Sequence, residues 1–294
     1  MELRQLRYFI AVAEELHFTR AAARLHIGQP PLSHAIQMLE ADLGARLLER
    51  NKRWVRLTEA GRLFLADARR ILALAEQARD TARRADRGEM GELRIGFTYS
   101  TPLTPLFAAA INRYRQEYPQ VTLILQELAT LRQLEGLEQR SIDLGFIRPP
   151  ELPIPPSIHT NALREDPLVV VLPSGHPLAA KAVLAIAELA DESFVMYPQG
   201  AGTGIYPQIF RLCREAGFAP RITQTANESS TIIGLVAAGS GITLLPSSFE
   251  RISLEGVTYR PISDKGAITM LYLARREDET SPMVKAFVDM VVGA

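Results

Sequence analysis

The sequence predicts an α/β protein with an N-terminal winged helix-turn-helix, a long connecting helix, and then two Rossmann-like α/β lobes. Three observations support this prediction. Two short helices with a tight turn lie near the N-terminus, a seam of small residues at heptad spacing follows them, and strands alternate with helices after residue 91. The 294 residues are enough for about two or three domains.

Residues 19–44 predict two short helices joined by a three-residue turn. Thr19 is expected to cap the first helix, which ends at residues 26–28. Pro30 and Pro31 open the second helix, where a missing N–H group costs nothing. Apolar residues recur through it at helical spacing: Leu32, Ile36, Leu39 and Leu43. A helix-turn-helix places its second helix in the major groove of DNA.

Flanking residues complete the predicted DNA-binding domain, residues 1–57. An apolar stripe before the helix pair predicts an earlier helix: Leu3, Leu6, Phe9, Ala13 and Leu16. Two short strands around a polar turn are predicted after it, with Leu47, Leu48, Val55 and Leu57 as their apolar residues. Basic side chains would lie on or near this wing, close to phosphates: Arg50, Lys52, Arg53 and Arg56. A helix pair and a basic turn also occur in proteins that do not bind DNA, but the wing favours DNA binding.

Residues 58–87 predict one long helix of about 45 Å. Small or apolar residues alternate four and three apart along it: Leu57, Gly61, Phe64, Ala68, Ile71, Ala75, Ala78, Ala82 and Ala85. This heptad seam favours a dimer helix, because a lone helix of this length has little else to bury against. The alternative is a helix packed within one subunit. A dimer would place two recognition helices on one roughly two-fold operator.

A hinge at residues 88–91 is predicted to lead into the two lobes. Lobe I is predicted to comprise 92–161 and 266–294, and lobe II to comprise 162–265. Strands are expected at 93–97, 121–127, 143–147, 168–172, 193–197, 222–225, 243–246, 257–261 and 269–274. Helices are expected at 104–118, 131–139, 186–190, 205–216, 230–238 and 282–291. The alternation of strands and helices predicts parallel pairing.

Three polar segments follow strands of these lobes, at 98–102, 128–130 and 199–204. Ligands of open α/β sheets sit beyond the carboxyl ends of strands, near helix N-termini. The hydroxyl and backbone N–H groups of these segments suit a carboxylate. Ser and Thr at such junctions are also common helix caps, and for each segment taken alone capping is the favoured interpretation.

Composition narrows the function classes. Lys and Arg number 16 against 12 Asp and Glu in residues 1–90, and 17 against 21 in the remainder. A positive excess on the small domain fits nucleic acid. Cys213 is the only cysteine and is expected to be a buried structural thiol rather than a redox group. The chain has no leading signal segment and no uninterrupted apolar run long enough for a membrane, so a cytoplasmic location is expected.

No motif predicts catalysis, a metal site or a cofactor. The histidines at 17, 26, 34, 159 and 176 show no ligand spacing. The glycines at 200, 202 and 204 follow G-x-G-x-G rather than the dinucleotide pattern G-x-G-x-x-G. The chain is therefore predicted not to be an enzyme.

The N-terminal fifty residues resemble those of LysR-type transcriptional regulators. They fit the family pattern F-x-x-V-A-E-x-x-x-F-T-x-A-A-x-x-L-x-x-x-Q-P-x-L-S-x-x-I-x-x-L-E-x-x-L-G-x-x-L-L-E-R almost throughout. The resemblance continues less strictly to the C-terminus and is strongest to the subgroup that senses aromatic-degradation metabolites. It implies a linker dimer helix, lobes like a type 2 periplasmic binding protein, and assembly to a tetramer on double-stranded DNA. RNA polymerase is a further candidate partner.

Family positions supply the candidate DNA-binding residues. They are Thr19, Gln29, Pro30, Pro31, Ser33, His34, Arg50, Lys52 and Arg53. Relatives usually carry Arg where this chain has His34. Arg grips guanine through two hydrogen bonds, whereas a neutral His offers one donor. We therefore expect a changed operator preference, the alternative being that His34 touches only phosphate or nothing.

The resemblance also implies an effector site. In the subgroup, the effector carboxylate meets a Ser after the first strand, a Thr after the second, and backbone in the third loop. Arg148 matches a basic residue near the pocket, and Asn227–Glu228 a pair that is often Arg-Glu. The candidate effector-binding residues are Ser100, Thr101, Thr130, Arg148, Gly202, Thr203, Gly204, Ile205, Asn227 and Glu228. The three glycines and Asn227 depart from the relatives, so the effector stays open.

Three function classes are compared. A ligand-controlled regulator, which the resemblance implies activates a neighbouring catabolic operon, accounts for every segment. A two-lobed transport receptor would need a secretion signal and would lack the helix-turn-helix. An enzyme on two α/β lobes would show turnover of aromatic acids.

Overall fold

The computed structural model describes residues 1–51, 54–149 and 151–293. The chain forms two compact units, Met1–Ala85 and Asp86–Ala294, each described here by itself. Among the described residues, no helix is long and apolar enough to cross a membrane. The two basic wing residues Lys52 and Arg53 lie outside the described residues.

The first unit is a winged helix-turn-helix followed by a long helix. Its elements are α1 (Leu3–Glu15), α2 (Phe18–Arg24), α3 (Gln29–Leu43), β1 (Leu48–Arg50), β2 (Val55–Leu57) and α4 (Glu59–Asp86). The predicted helix pair is confirmed as α2 and α3, with Gly28 at the N-cap of α3 and the two prolines in its first turn. Leu6, Phe9, Leu32, Ile36 and Leu39 form the fully buried centre.

Four details of the predicted first unit were wrong. Thr19 does not cap α2, because His17 holds the cap position and its Nδ1 accepts the N–H of Arg20 at 3.4 Å. Thr19 is exposed in the first helical turn. The outermost leucines of the two apolar stripes, Leu3, Leu16 and Leu43, are exposed because they lie at helix ends beyond the core.

The wing is held against the end of α3 by one carboxylate. β1 and β2 pair antiparallel, with Leu48 opposite Leu57. Glu40 Oε1 accepts the backbone N–H groups of Leu47 at 2.8 Å and Leu48 at 3.0 Å. A side-chain acceptor can satisfy backbone N–H groups that have no partner in the strand pairing. The position of the wing relative to α3 therefore depends on Glu40.

Helix α4 begins as predicted, but half of its seam is used within the subunit. Thr58 caps it by accepting the N–H of Gly61 at 2.9 Å. Gly61 and Ala68 are buried, and Phe64 packs on Phe9 of α1 with ring centroids 5.3 Å apart. Ile71 also packs on this core. The preference for a dimer seam over the whole helix was therefore wrong for the first half, where other residues of the first unit cover it.

The second unit is a mixed α/β structure. Its strands are β3 (Met90–Phe97), β4 (Gln120–Glu127), β5 (Leu144–Ile147), β6 (Ile158–Pro173), β7 (Ser193–Met196), β8 (Arg221–Thr225), β9 (Thr243–Pro246), β10 (Val257–Pro261) and β11 (Ile268–Arg276). Its α-helices are α5 (Pro105–Glu117), α6 (Thr130–Glu138), α7 (Ile205–Glu215), α8 (Ser229–Ala237) and α9 (Pro282–Val292). The predicted helix at 186–190 is a 3₁₀ turn, Ile186–Leu189.

Strand pairing confirms the predicted parallel pairing for some strands and corrects it for others. β3 pairs in parallel with β4 and β5, and β7 pairs in parallel with β8. β6, β9, β10 and β11 join by antiparallel pairing. β6 is 16 residues long. Its first part pairs with β11, and its second part pairs with β9 and β10. The predicted boundary between the lobes, at residues 161 and 162, falls inside β6 and is not marked by a break in the strand. The lobe boundaries therefore stay a prediction.

Two hydrophobic cores flank this long strand. The first contains Phe107, Tyr114, Phe146 and Phe287 and is covered by α5 and α9. We call β3–β5 with α5, α6 and α9 lobe I. The second core is built from β7, β9 and α7 and includes Cys213; we call β7–β9 with α7 and α8 lobe II. Burial raises the pKa of the Cys213 thiol to about 12, as suits a structural residue.

The predicted hinge is shorter than expected. α4 ends at Asp86 and β3 begins at Met90, so half of residues 88–91 belongs to a strand. A Cβ on Gly88 (φ 71°) would lie 2.8 Å from the backbone nitrogen of Met283. Glycine is therefore needed there for the close approach of the start of α9 as well as for the left-handed backbone.

Candidate functional site

A cleft lies between lobe I and lobe II, beyond the carboxyl ends of β3, β5 and β7. Six of the predicted effector residues line it: Ser100, Thr130, Arg148, Thr203, Gly204 and Ile205. Ser100 follows β3, Thr130 opens α6, and Arg148 follows β5. The cavity volume of the cleft is only about 40 Å³. Its walls are therefore nearly in contact.

Arg148 is at the centre of the hydrogen bonds in this cleft. Its Nε donates to Ser100 Oγ at 2.9 Å. Its backbone N–H donates to Thr130 Oγ1, which in turn donates to the Arg148 carbonyl, both at 3.1 Å. The predicted capping role was therefore wrong for Ser100 and Thr130, since neither hydroxyl caps a helix. Both hydroxyls hold Arg148 instead.

The Arg148 guanidinium is paired with a buried carboxylate. Nη2 donates to Asp166 Oδ2 at 2.8 Å, and both side chains are almost fully buried. The other carboxylate oxygen, Oδ1, accepts from Ser247 Oγ at 2.7 Å and from the N–H of Ser248 at 3.3 Å. Desolvation lowers the pKa of Arg148, while the charge of Asp166 opposes that shift. The pair therefore carries little net charge into the cleft.

Two buried polar atoms of the cleft have no hydrogen-bond partner among the described residues. They are Nη1 of Arg148 and the hydroxyl oxygen of Thr203. Buried polar groups are nearly always paired, and an unpaired one costs free energy. Thr203 also does not cap α7, which has Gly204 at its N-cap. The Nη1 group of Arg148 and the hydroxyl of Thr203 are thus available to donate hydrogen bonds to a ligand.

Two aromatic rings also line the cleft. Tyr99 of lobe I and Tyr197 of lobe II stack, with ring centroids 6.1 Å apart. The Tyr197 hydroxyl is hydrogen-bonded to Ser229, and burial raises the pKa of Tyr197. Desolvation and then the charge of Glu228 raise the pKa of Tyr99. The rings could therefore cover the apolar part of a ligand while keeping neutral hydroxyl groups.

Four predicted effector residues do not line the cleft. Thr101 is fully buried, and its hydroxyl is hydrogen-bonded to the hydroxyl of Thr98 at 2.8 Å. Its side chain therefore stabilises the loop after β3 and does not face the cleft. Gly202 faces Leu131 of lobe I. Asn227 and Glu228 are exposed just before α8. The charge of Glu228 still raises the pKa of Tyr99 in the cleft.

The predicted DNA-binding residues share the exposed start of α3. Gln29, Pro30, Pro31 and His34 are exposed, and Ser33 is half-buried. The side-chain amide of Gln29 donates to Ser33 Oγ at 3.5 Å, a long contact. Arg50 of the wing lies over the ring of Phe18 and 3.8 Å from Glu40. It is therefore less free to reach a phosphate than the sequence suggests.

Both units match families of known proteins. Residues 3–62 match the family described as bacterial regulatory helix-turn-helix protein, lysR family. Residues 86–294 match the LysR substrate binding domain. The chain belongs to the LysR family. It is a LysR-type DNA-binding transcriptional regulator with an effector-binding domain, as the sequence predicted.

Full-length relatives of this LysR regulator have been named in several bacteria. The chain is 45% identical over 98% of its length to the uncharacterized regulator YnfL of Escherichia coli K12, covering 96% of that protein. It is 41% identical over 99% of its length to CatR of Pseudomonas putida, covering 98% of it. The crystal structure of CbnR, a LysR family regulator, matches with a TM-score of 0.78 and 32% identity over 99% of this chain and 100% of that one.

Sequence reasoning missed two residues that shape the site of this LysR regulator. Asp166 is the carboxylate behind Arg148, and Tyr197 supplies one of the stacked rings. A signal for Asp166 was present, because it is an acid directly before Pro167 and a buried apolar strand segment. Buried acids are rare unless paired. Tyr197 gave no such signal, since an aromatic residue at the end of a strand is ordinary.

Proposed function

We propose that the cleft binds a small carboxylate, with aromatic-derived acids among the ligands, and that its occupancy controls transcription. The observation that carries this proposal is the pair of unpartnered atoms, Arg148 Nη1 and Thr203 Oγ1, buried in one cleft. A carboxylate oxygen accepts from both a guanidinium and a hydroxyl. Such charge-assisted hydrogen bonds are stronger than neutral ones.

Directed N–H and O–H donors, rather than net charge, would hold the ligand. Asp166 already balances the charge of Arg148. The N-terminus of α7 supplies further donors, because the first N–H groups of a helix lack intrahelical partners. Gly204 and Ile205 at this N-terminus line the cleft. The positive end of the helix dipole also favours an anion there.

The ligand would act by changing how the lobes close. The cavity volume is only about 40 Å³, so the lobes must open to admit an aromatic acid before they close on it. An effector that prefers one degree of closure shifts the population toward it. A coupling of about 1–3 kcal/mol is enough to change DNA binding several-fold or more.

Activation of a catabolic operon is the proposed direction of control. A relative from Acinetobacter lwoffii, 35% identical over 97% of this chain and 93% of its own length, is named probable cat1 operon transcriptional activator. BenM of Acinetobacter baylyi is 37% identical over 99% of this chain and 95% of its own length. The first of these names supports an activator of an operon, and the second supports a transcriptional regulator.

The DNA end of the proposal rests on α3 and the wing. Gln29, Ser33 and His34 would contact bases or phosphates, and Arg50 would lie near the backbone. Full-length CbnR has been solved with its target DNA, at a TM-score of 0.81 and 31% identity over 99% of this chain and 98% of that one. We propose that this chain binds operators as a dimer or tetramer in the cytoplasm, with RNA polymerase as a candidate partner.

Two other function classes were compatible with a two-lobed fold. A transport receptor does not account for the winged helix-turn-helix of the first unit. An enzyme needs a reactive group, and among the described residues the cleft holds a paired Arg, hydroxyls and tyrosines with raised pKa values. Neither class has a supporting observation, and we propose a regulator without catalytic activity.

Calorimetric titration of the full-length protein tests the proposal. Acetate, benzoate and adipate are the probes, and benzamide is the uncharged counterpart of benzoate. We expect at least one carboxylate to bind and benzamide to bind at least about tenfold more weakly, because a hydrogen bond to a charged group contributes about 1.5–3 kcal/mol.

Variants then locate the binding. Replacing both Ser100 and Thr130 by Ala should abolish carboxylate binding and leave affinity for a promoter fragment unchanged. Ser253→Ala, at an exposed serine of the same unit, is the matched control and should bind normally. The proposed site would be contradicted if none of the carboxylates binds, or if the double variant binds a carboxylate as tightly as the wild type does.

A further inference from the structure

The loop before α7 reaches across the cleft and contacts the start of α6. The carbonyl of Gly202 accepts the backbone N–H of Leu131 at 3.1 Å. Leu131 is the second residue of α6, so its N–H has no acceptor within the helix. The two residues belong to different lobes. This hydrogen bond therefore exists only while the cleft is closed at this edge.

Gly202 is the residue that permits this contact. Its φ of 69° lies in the left-handed region, where a side chain is unfavourable. A Cβ at this position would also lie 2.9 Å from the Cβ of Leu131. The backbone conformation and the available space both disfavour any residue with a Cβ. The first of these requirements is local, whereas the second arises only from the opposite lobe.

A neighbouring glycine in the same loop has neither constraint. Gly200 lies in the 3₁₀ turn Gln199–Ala201, and a Cβ there would meet nothing within 4 Å. Its backbone is not left-handed. The glycine-rich character of this loop is therefore not the determining feature. The requirement is specific to Gly202.

A second contact joins the lobes on the same side. Arg211 of α7 donates from Nε to Glu151 Oε1 at 2.7 Å, and Glu151 follows β5 of lobe I. Arg211 is also held by Glu215, one turn along its own helix. Closure is thus supported by a backbone bond and an ion pair. The ion pair is partly exposed and contributes little, so the backbone contact is the stricter constraint.

We propose that Gly202 is a positioning residue that sets how far the two lobes close, through its contact with Leu131. A larger residue at 202 holds this edge of the cleft open and weakens effector binding without touching the ligand. The effect on effector binding rests on the function proposed above, but the effect on closure does not.

Amide hydrogen exchange of the full-length protein, resolved to Leu131 and measured without any ligand, tests closure directly. In Gly202→Ala, exchange at Leu131 should be about 5- to 30-fold faster than in the wild type, because the added Cβ is too close to the Cβ of Leu131 in the closed arrangement. Gly200→Ala is the matched control and should exchange as the wild type does. Amides in β3 and β5 should keep their protection in all three proteins, which shows that lobe I is folded.

A second substitution separates the two requirements. Asn tolerates the left-handed region better than Ala but carries the same Cβ. Gly202→Asn should therefore still speed exchange at Leu131, and Leu131→Gly in the same chain should restore part of the protection by removing the opposing Cβ. If Leu131 exchanges equally in wild type, Gly202→Ala and Gly202→Asn, the proposal is overturned. If Gly202→Ala does not fold, Gly202→Asn and its double variant decide the question.

Titration with benzoate and acetate then separates this proposal from the previous one. Gly202→Ala should lower the affinity for a carboxylate, because the apparent affinity falls in proportion to the fraction of molecules closed at this edge, whereas exchange at Leu131 rises with the open fraction. Ser100→Ala should lower affinity without changing exchange at Leu131 in the ligand-free protein. If neither carboxylate binds the wild type, the proposed effector site fails, while the exchange result still supports or overturns the role of Gly202 in closure.

Discussion

Arg148 and Asp166 form a 2.8 Å ion pair with 7% and 0% of their side-chain surfaces exposed. They join the end of β5 to the middle of β6, the long strand on which both lobes are built. Removing one partner of such a pair leaves a charge that neither solvent nor protein satisfies. This relationship makes the stability of the second unit and the chemistry of its cleft depend on the same two residues.

Asp166→Asn should lower the free energy of unfolding of the second unit by about 3–5 kcal/mol, because the Arg148 charge is left buried without its counterion. Urea denaturation followed by fluorescence measures the change. The double variant Arg148→Met with Asp166→Asn should be less destabilised than Asp166→Asn alone. Additive losses in the two single variants and the double variant would show that the pair is not coupled.

His34→Arg should change the preferred operator. His34 is exposed near the start of α3, and Arg can bind guanine with two hydrogen bonds where His offers one donor. Selection of operators from a random DNA pool with each protein measures this. His159→Arg, in the second unit, is the matched control and should select the wild-type site. An unchanged site for His34→Arg would mean that residue 34 does not read bases.

Leu74→Asp should weaken self-association. The first half of the α4 seam packs on the core of the first unit, yet Leu63 and Leu74 remain 65% and 63% exposed on that helix. They are three turns apart and share one face, as expected of a surface that another subunit covers. Sedimentation of the full chain should show smaller assemblies for Leu74→Asp. Leu254→Asp, at a leucine 41% exposed in the second unit, should assemble normally.

Acid should loosen the packing of α1 in the first unit through Glu14. Hydrogen bonds from Arg69 of α4 and Arg24 of α2 lower the pKa of the Glu14 carboxyl. A carboxyl with a lowered pKa in the folded state contributes stability above its unfolded pKa and loses it as the pH falls through the folded value. Glu14→Gln should therefore be less stable than the wild type at pH 7, with the difference shrinking toward pH 3. Thermal unfolding at several pH values measures it, and a constant difference would contradict this assignment.

Much of the fold was predictable from local sequence signals. The second helix of the pair was expected to open at the two prolines and end at Gly44, and α3 spans Gln29–Leu43 with Gly44 in the left-handed C-cap position. α7 was expected at 205–216 and spans Ile205–Glu215. β9 was expected at 243–246 and spans these residues. Periodicity, proline and glycine act within a few residues, so they can be read without tertiary structure.

The candidate site was only partly predictable for the same reason. Ser100, Thr130 and Arg148 were singled out by resemblance, and they do meet in one cleft. Their partner Asp166 and the contact between Gly202 and Leu131 were not foreseen. Each joins residues that are distant in sequence, and a single sequence carries no record of which distant residues touch.

The sequence alone determined the type and position of most elements and the membership of the DNA-binding half in its family, because hydrophobic spacing and turn residues specify local backbone. Only the tertiary structure decided that β6 is one strand shared by both cores, and that half of the α4 seam packs on the core of the first unit. It also decided which charges are buried together. These outcomes depend on burial and on contacts between residues that are distant in sequence. The free energy of such a contact depends on both residues together and cannot be assigned to either one alone.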